Sequence, residues 1–170
     1  MTEESNSPVS VNYFLEPGYI YVSPKPVVIS TVLGSCIAVC LYDCKRKIGG
    51  MNHFQFPGTR HQDRATARYG NVALPFLIRM VLDGGSKKKH LEAQIFGGAH
   101  NREIFPEDIG RGNITIARKI LAREGIRIVS EDVGGEKGRK LVFDTQANEI
   151  AVLKVDKLRK GDWYPYQDVR

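Results

Sequence analysis

Cys36 is the residue whose sequence neighbours best fit a nucleophile. An apolar run at residues 27–29 leads towards a Gly-Ser turn, the cysteine follows that turn at once, and a second apolar run begins after it. A turn of this kind holds a thiol at the edge of the core, where flanking backbone N–H groups can stabilise an oxyanion. The placement predicts an exposed Cys36 thiol with a lowered pKa.

His53 is the first candidate for a base that takes the proton of this thiol. It lies further along the chain in the segment G-G-M-N-H. A free thiol is a weak nucleophile at neutral pH, and a neighbouring imidazole is the usual means of activating it. His100, which follows a second glycine pair, is the rival candidate. Residue type alone also leaves open a structural thiol, because free cysteine is among the most buried residue types.

The other two cysteines, Cys40 and Cys44, complete an odd-numbered cluster. A secreted disulfide scaffold has an even number of dispersed cysteines, so this pattern argues against one. Residues four apart in a strand are separated by about 13 Å, whereas Zn–S bonds are about 2.3 Å long. We therefore predict no metal and no cofactor, an inert core position for Cys40 and a polar turn for Cys44.

Composition favours a soluble globular protein. Of the 170 residues, 42% are hydrophobic, and no apolar run approaches the roughly 20 residues that span a bilayer. The N-terminus is polar and acidic, unlike a signal peptide, which predicts a cytoplasmic protein without membrane insertion. The formal charge is +6, but the basic residues are spread along the chain without interleaved aromatic residues, so no nucleic-acid partner is predicted.

Hydrophobic periodicity predicts about nine strands and two helices. One helix is expected to begin near Asn71 as its N-cap and to stop at the glycine pair 84–85. The second is expected to run from about residue 113 to residue 124. Residues 37–42 are nearly all apolar, as in a strand that is buried on both faces.

The order of these elements predicts an α+β layered sandwich. Residues 1–10 show no periodicity and are expected to be disordered. Residues 11–155 are expected to form a single domain. Residues 156–170 are expected to form a polar tail whose aromatic residues pack back on the body, with a partner contact as the alternative; they are Trp163, Tyr164 and Tyr166.

Four motifs carry a specific pattern over about residues 18–155. They are T-V-L-G-S-C at 31–36 with G-G-M-N-H at 49–53, Q-I-F-G-G-A at 94–99, I-G-R-G-N at 109–113 and E-D-V-G-G at 131–135. In this order they resemble the CheD family, the chemoreceptor glutamine deamidases of bacterial chemotaxis. The resemblance implies mixed β-sheets with two main helices packed on one side, housing a papain-like Cys–His site.

The resemblance also implies an activity and its partners. The expected reaction is hydrolytic deamidation of glutamine side chains to glutamate on methyl-accepting chemotaxis receptors, through a thioester, with receptor methylester hydrolysis as a side activity. The expected partners are the cytoplasmic domain of a chemoreceptor and a CheC-type phosphatase that occupies the same cleft. Two alternatives remain: a non-catalytic binding module of the chemotaxis pathway, and a Cys hydrolase that acts on another protein.

Within that resemblance, each candidate site residue has an expected role. Cys36 is the nucleophile, His53 is the base, and a hydroxyl just upstream of the cysteine orients the imidazole. Thr31 is our first choice for that hydroxyl and Ser30 is the alternative, because neighbouring strand residues point to opposite faces and only one can reach the site. The remaining candidates are Gly34 and Ser35 for the oxyanion-binding backbone, and Asn52, Gly97 and Gly98 for substrate binding.

Overall fold

The computed structural model describes residues 11–156. In chain order its strands are β1 (Val11–Phe14), β2 (Ile20–Ser23), β3 (Val27–Leu33), β4 (Ile37–Asp43), β5 (Ile48–Asn52), β6 (Leu91–Gly97), β7 (Arg127–Val133), β8 (Gly138–Asp144) and β9 (Glu149–Val155). Helix α1 (Gly70–Asp83) lies between β5 and β6, and helix α2 (Ile109–Glu124) lies between β6 and β7. The predictions for residues 1–10 and for the aromatic tail beyond Asp156 lie outside the described residues.

The strands form two mixed sheets. The four-stranded sheet has the order β1-β3-β8-β9, with β1 parallel to β3. The five-stranded sheet has the order β2-β5-β4-β6-β7, with β7 parallel to β6. The other neighbouring strands are antiparallel. The predicted α+β fold with mixed sheets and two helices is therefore confirmed.

Strand β4 separates two layers of the hydrophobic core. Ile37, Val39 and Leu41 pack in one cluster with buried side chains of both helices. Ala38, Cys40 and Tyr42 pack in a second cluster with buried side chains of the four-stranded sheet. Because successive strand side chains point to opposite faces, the helices cover one face of the five-stranded sheet and the four-stranded sheet covers the other. The prediction that residues 37–42 are buried on both faces is confirmed.

Helix α1 does not begin as predicted. Its N-cap is Tyr69, and Asn71 is the second residue of the helix. The Asn71 side chain instead binds the backbone of a preceding loop: Nδ2 donates to the Thr59 carbonyl at 2.8 Å, and Oδ1 accepts from the Thr59 N–H at 3.2 Å. The predicted cap was wrong because this amide pairs with both polar groups of the Thr59 backbone.

Helix α2 begins one turn earlier than predicted. Asp108 is the N-cap, and its carboxylate accepts from the Arg111 N–H at 2.9 Å. The helix ends as expected, at Gly125, which adopts a left-handed conformation with a φ of 68°. The earlier start places Asn113 inside the helix, where its side chain has no exposed surface.

Candidate active site

The turn that carries Cys36 connects β3 of one sheet to β4 of the other, so the cysteine lies where the chain crosses between the sheets. The carbonyl groups of three consecutive residues in this turn are held by hydrogen bonds. Gly34 accepts from the Ala99 N–H at 3.0 Å, Ser35 from Asn113 Nδ2 at 2.9 Å, and Cys36 from the Gly98 N–H at 2.8 Å. The backbone around the sulfur is therefore fixed on three sides.

Gly97 and Gly98 lie against the backbone of Cys36. Their φ angles are 107° and 72°, values that favour glycine. A Cβ atom on Gly97 would clash with the Cys36 carbonyl oxygen, and one on Gly98 would lie 2.6 Å from the Ile114 side chain. Both glycines are buried. The structure places this pair behind the cysteine, as support for its backbone.

One antiparallel bridge joins the segments that carry Cys36 and His53. Ile37 and Phe54 exchange two backbone hydrogen bonds of 3.0 Å each. Cys36 and His53 each precede one member of that pair, so both side chains point to the face opposite Ile37 and Phe54. In a regular antiparallel ladder, diagonal neighbours of this kind have Cα atoms about 7–8 Å apart. The burial pattern agrees, because Phe54 packs with the helices whereas Cys36 packs against the core between the sheets.

The His53 imidazole is held by Thr31. Thr31 Oγ1 lies 2.8 Å from His53 Nδ1 and donates to the Leu15 carbonyl at 2.7 Å. Leu15 is placed beside this hydroxyl by its own N–H, which donates to the Ser30 carbonyl at 2.8 Å. The Ser30 side chain points to the other face of β3. Of the two candidate hydroxyls, the structure brings Thr31 to the imidazole.

These hydrogen bonds decide which nitrogen of His53 carries the proton. A hydroxyl has one hydrogen, and the Leu15 carbonyl can only accept, so Thr31 must donate to Leu15 and accept from His53 Nδ1–H. The neutral imidazole then has its lone pair on Nε2. Nε2 is buried and has no hydrogen-bond partner among the described residues. The atom left unpaired is the one that a base needs.

Burial favours the neutral form of both His53 and Cys36. Burial lowers the pKa of His53 to about 4, although a hydrogen bond to the Leu15 carbonyl opposes the shift. Burial raises the pKa of the Cys36 thiol to about 12, opposed by a hydrogen bond from its own backbone N–H. The prediction of an exposed, low-pKa thiol was wrong, because Cys36 is half-buried and packs against the core between the sheets.

The remaining cysteines lie where they were predicted. Cys40 is buried in the core between the sheets, where burial raises its pKa, and Cys44 is exposed in the turn after β4. No group of three or more metal-binding side chains is found within residues 11–156. No helix in the same range is long and apolar enough to cross a membrane.

Two other candidates have surroundings that bear on their expected roles. Asn52 is fully buried, and its Oδ1 accepts from the Val39 N–H at 2.9 Å, so this amide is part of the sheet. His100, the rival base, has its Nδ1 3.9 Å from Asp108 Oδ1, on a side chain that is 15% exposed. The Thr31 hydroxyl is hydrogen-bonded to His53 and not to His100.

A cleft of about 380 Å³ borders the turn that carries Cys36. Gly34 and Ser35 form part of its wall, and His100 lines it as well. Ile104 and Phe105 also line it, although they are 66% and 58% exposed. Solvent-exposed apolar side chains beside a cleft are typical of a surface that binds another protein. Sequence analysis did not single out these two residues, because the segment that carries them has no hydrophobic period.

Sequence analysis also missed the contribution of Asn113. Its amide contacts both the turn before Cys36 and the segment after His53. The I-G-R-G-N motif is the available signal, but by itself it indicates only a family pattern and a helix start.

The helix that carries this asparagine lies within the part of the chain that a known family matches. That family is CheD, described as CheD chemotactic sensory transduction, and the match covers residues 55–154.

The chain belongs to the CheD family. A probable chemoreceptor glutamine deamidase CheD of Trichlorobacter lovleyi is 40% identical over 152 residues, which are 88% of this chain and 94% of the relative. The protein of the same name from Sulfurimonas denitrificans is 37% identical over 147 residues, 85% of this chain and 94% of its own length. A probable chemoreceptor glutamine deamidase CheD 2 of Shewanella oneidensis is 43% identical over 139 residues, with coverages of 75% and 69%.

The similarity to these CheD proteins extends over the candidate site. An alignment that covers 88% of this chain can leave out only a short stretch at its ends. It therefore includes Thr31, Cys36 and His53. The same alignment covers nearly the whole length of the relative.

Proposed function

We propose that this CheD protein is a protein-glutamine glutaminase that deamidates glutamine side chains of chemoreceptors to glutamate and releases ammonia. The names of its relatives support this activity. The observation that carries the proposal is the hydrogen bond between Thr31 and His53. It leaves a bare, buried Nε2 on the face that Cys36 shares, which is the arrangement that a thiol hydrolase requires.

The first half of the reaction forms a thioester. Cys36 Sγ attacks the carboxamide carbon of the substrate while His53 Nε2 takes the thiol proton. Because both groups are neutral at rest, the proton moves as the carbon–sulfur bond forms. The negative charge on the carboxamide oxygen is stabilised by backbone N–H groups of the turn formed by Gly34, Ser35 and Cys36.

The second half of the reaction releases ammonia and regenerates the enzyme. The imidazolium of His53 gives its proton to the leaving nitrogen as the carbon–nitrogen bond breaks. A water molecule then loses a proton to Nε2 and attacks the thioester carbon, and the Cys36 sulfur leaves and is reprotonated by His53. Thr31 holds the ring through both steps. Its hydroxyl accepts from His53 Nδ1–H and donates to the Leu15 carbonyl, so the two hydrogen bonds form a chain.

The cleft beside the nucleophile turn is the proposed substrate site. It is large enough for part of a protein segment, and exposed Ile104 and Phe105 offer apolar contact to the cytoplasmic domain of a chemoreceptor. We also place the protein in the cytoplasm, because its proposed substrate is the cytoplasmic domain of a receptor. A CheC-type phosphatase is the proposed competitor for this cleft. A methylated receptor glutamate presents the same carbonyl carbon, so ester hydrolysis would use the same residues.

The test is incubation with a purified receptor cytoplasmic fragment, followed by mass spectrometry of the receptor glutamines. We expect conversion of specific glutamines to glutamate with release of ammonia by the wild type and by the Cys44→Ala control, whose replaced thiol is exposed in the turn after β4. Receptor binding without conversion would favour the non-catalytic module. Conversion of another protein but not of the receptor would favour the other Cys hydrolase.

A further inference from the structure

Asn113 is a fully buried polar residue in the otherwise apolar stripe of α2. Ile114 follows it and Ala117 lies one turn further on, and both pack in the core below the five-stranded sheet. Placing an amide there is unfavourable unless its hydrogen bonds are satisfied. Only Nδ2 of Asn113 has partners, because its Oδ1 is buried without one among the described residues. The two bonds that Nδ2 donates therefore explain why the position is polar.

The amide of Asn113 bridges the two segments that carry the reacting residues. Its Nδ2 donates to the Ser35 carbonyl at 2.9 Å and to the Gln55 carbonyl at 3.0 Å. Ser35 directly precedes the nucleophile, and Gln55 lies just after His53. Because both facing atoms are carbonyl oxygens, which only accept, the NH₂ group and not the oxygen of the amide must face them.

We propose that Asn113 is a positioning residue for catalysis, which aims the Cys36 N–H at the oxyanion and holds the His53 segment in register with it. A peptide bond is planar and trans, so the N–H points opposite to the carbonyl of the same peptide. With the Ser35 carbonyl drawn to Asn113, the Cys36 N–H is directed away from the helix, where the Cys36 sulfur accepts it. The same N–H therefore lies beside the carbon that the sulfur attacks. This inference rests on the proposed deamidase activity and adds a residue to it.

The backbone of α2 packs closely against the segment that supports Cys36. A Cβ atom on Gly110 would clash with the Gly98 carbonyl oxygen, so the first turn of the helix lies directly against the glycine pair. Gly98 in turn donates to the Cys36 carbonyl. The helix therefore contacts the nucleophile turn through backbone at Gly110 and through a side chain at Asn113, which leaves the amide little freedom to move.

The test compares Asn113→Asp and Asn113→Leu with Ile120→Val. Aspartate has the size of asparagine but no donor for the two carbonyls, and leucine removes every polar atom while keeping similar volume. Ile120 is buried in the same helix, and its apolar side chain forms no hydrogen bond with the turn that carries Cys36. Its variant therefore controls for loss of helix packing. For each protein we would measure kcat and KM on a receptor fragment, the rate of Cys36 alkylation by iodoacetamide, and folding by circular dichroism.

Alkylation forms no oxyanion, so it separates positioning from general damage to the turn. We expect both Asn113 variants to lose roughly 100-fold in kcat, the scale of a small misplacement in an active site, with KM and the alkylation rate close to wild type. The control should keep the wild-type kcat. A kcat loss no larger than that of Ile120→Val would overturn the inference, as would alkylation that falls in step with deamidation, or failure of both variants to fold. An inactive wild type would instead overturn the proposed function itself.

Discussion

Thr31 Oγ1 and His53 Nδ1 lie 2.8 Å apart although their segments come from different sheets. Thr31 is on β3 of the four-stranded sheet, and His53 directly follows β5 of the five-stranded sheet. The hydrogen bond therefore forms only when the two sheets are stacked. Since it also fixes the tautomer of the imidazole, the packing of the fold and the readiness of the base are coupled.

Replacing Thr31 by Ala should lower the deamidation rate roughly 10- to 100-fold, because the ring loses its orientation but keeps its basic nitrogen. Ser30→Ala is the matched control, since this neighbouring hydroxyl points away from the site, and it should retain full activity. Thr31→Ser should restore much of the rate. Kinetics on variants shown to be folded would check this. Full activity in both alanine variants would mean that another group, such as a backbone carbonyl, orients His53.

Alkylation of Cys36 should be slow at neutral pH and should accelerate as the pH rises towards 10. The reason is that burial raises the pKa of this thiol to about 12, so little thiolate is present at pH 7. Peptide mapping after iodoacetamide treatment would measure it, with Cys40 as the internal control that stays unlabelled in the folded protein. Rapid labelling of Cys36 that does not change between pH 6 and 9 would instead indicate a preformed thiolate.

The acid limb of the activity profile should lie near pH 4 and not near the usual imidazole value of 6.5, because burial lowers the pKa of His53 to about 4. Protonated His53 cannot accept the thiol proton, so kcat/KM falls as the pH decreases through that value. A folded-state pKa below the unfolded one also means that the neutral ring favours folding above pH 6.5, and that this contribution is lost as the pH falls towards 4.

Circular dichroism at each pH separates the two effects, since a loss of activity in the folded protein reports on the base alone. The profile is measured on the receptor fragment, with the Cys44→Ala variant as a control for unrelated thiol chemistry. An acid limb centred near pH 6.5 in fully folded protein would contradict the buried, neutral state of His53.

The periodicity of the sequence predicted the elements that surround the site. The apolar run at residues 37–42 has no polar alternation, so it predicted a strand buried on both faces, and β4 is that strand. The two hydroxyls before Cys36 could not be separated by residue type, yet strand alternation implied that only one could reach the imidazole. Thr31 is the one that does. The prediction of β4 succeeded because it depends on local periodicity, whereas the orienting role of Thr31 stays a prediction.

The features that were missed depend on contacts between distant segments. Asn113 lies 78 residues from Ser35 and 58 from Gln55 in the sequence. No local pattern predicts a hydrogen bond over such separations. The pKa of Cys36 was predicted in the wrong direction for the same reason. A turn in the sequence suggests exposure, but in the fold the Cys36 side chain packs against the core between the two sheets.

The most direct test of the central claim compares Gln-to-Glu conversion on a receptor fragment by the wild type and by Cys36→Ala, at equal receptor binding. A nucleophile contributes to the transition state more than to binding, so we expect Cys36→Ala to bind the fragment and to leave its glutamines unchanged. His53→Ala should be equally inactive, whereas His100→Ala should convert the same glutamines as the wild type. Conversion by folded Cys36→Ala, or an active His53→Ala beside an inactive His100→Ala, would contradict the account.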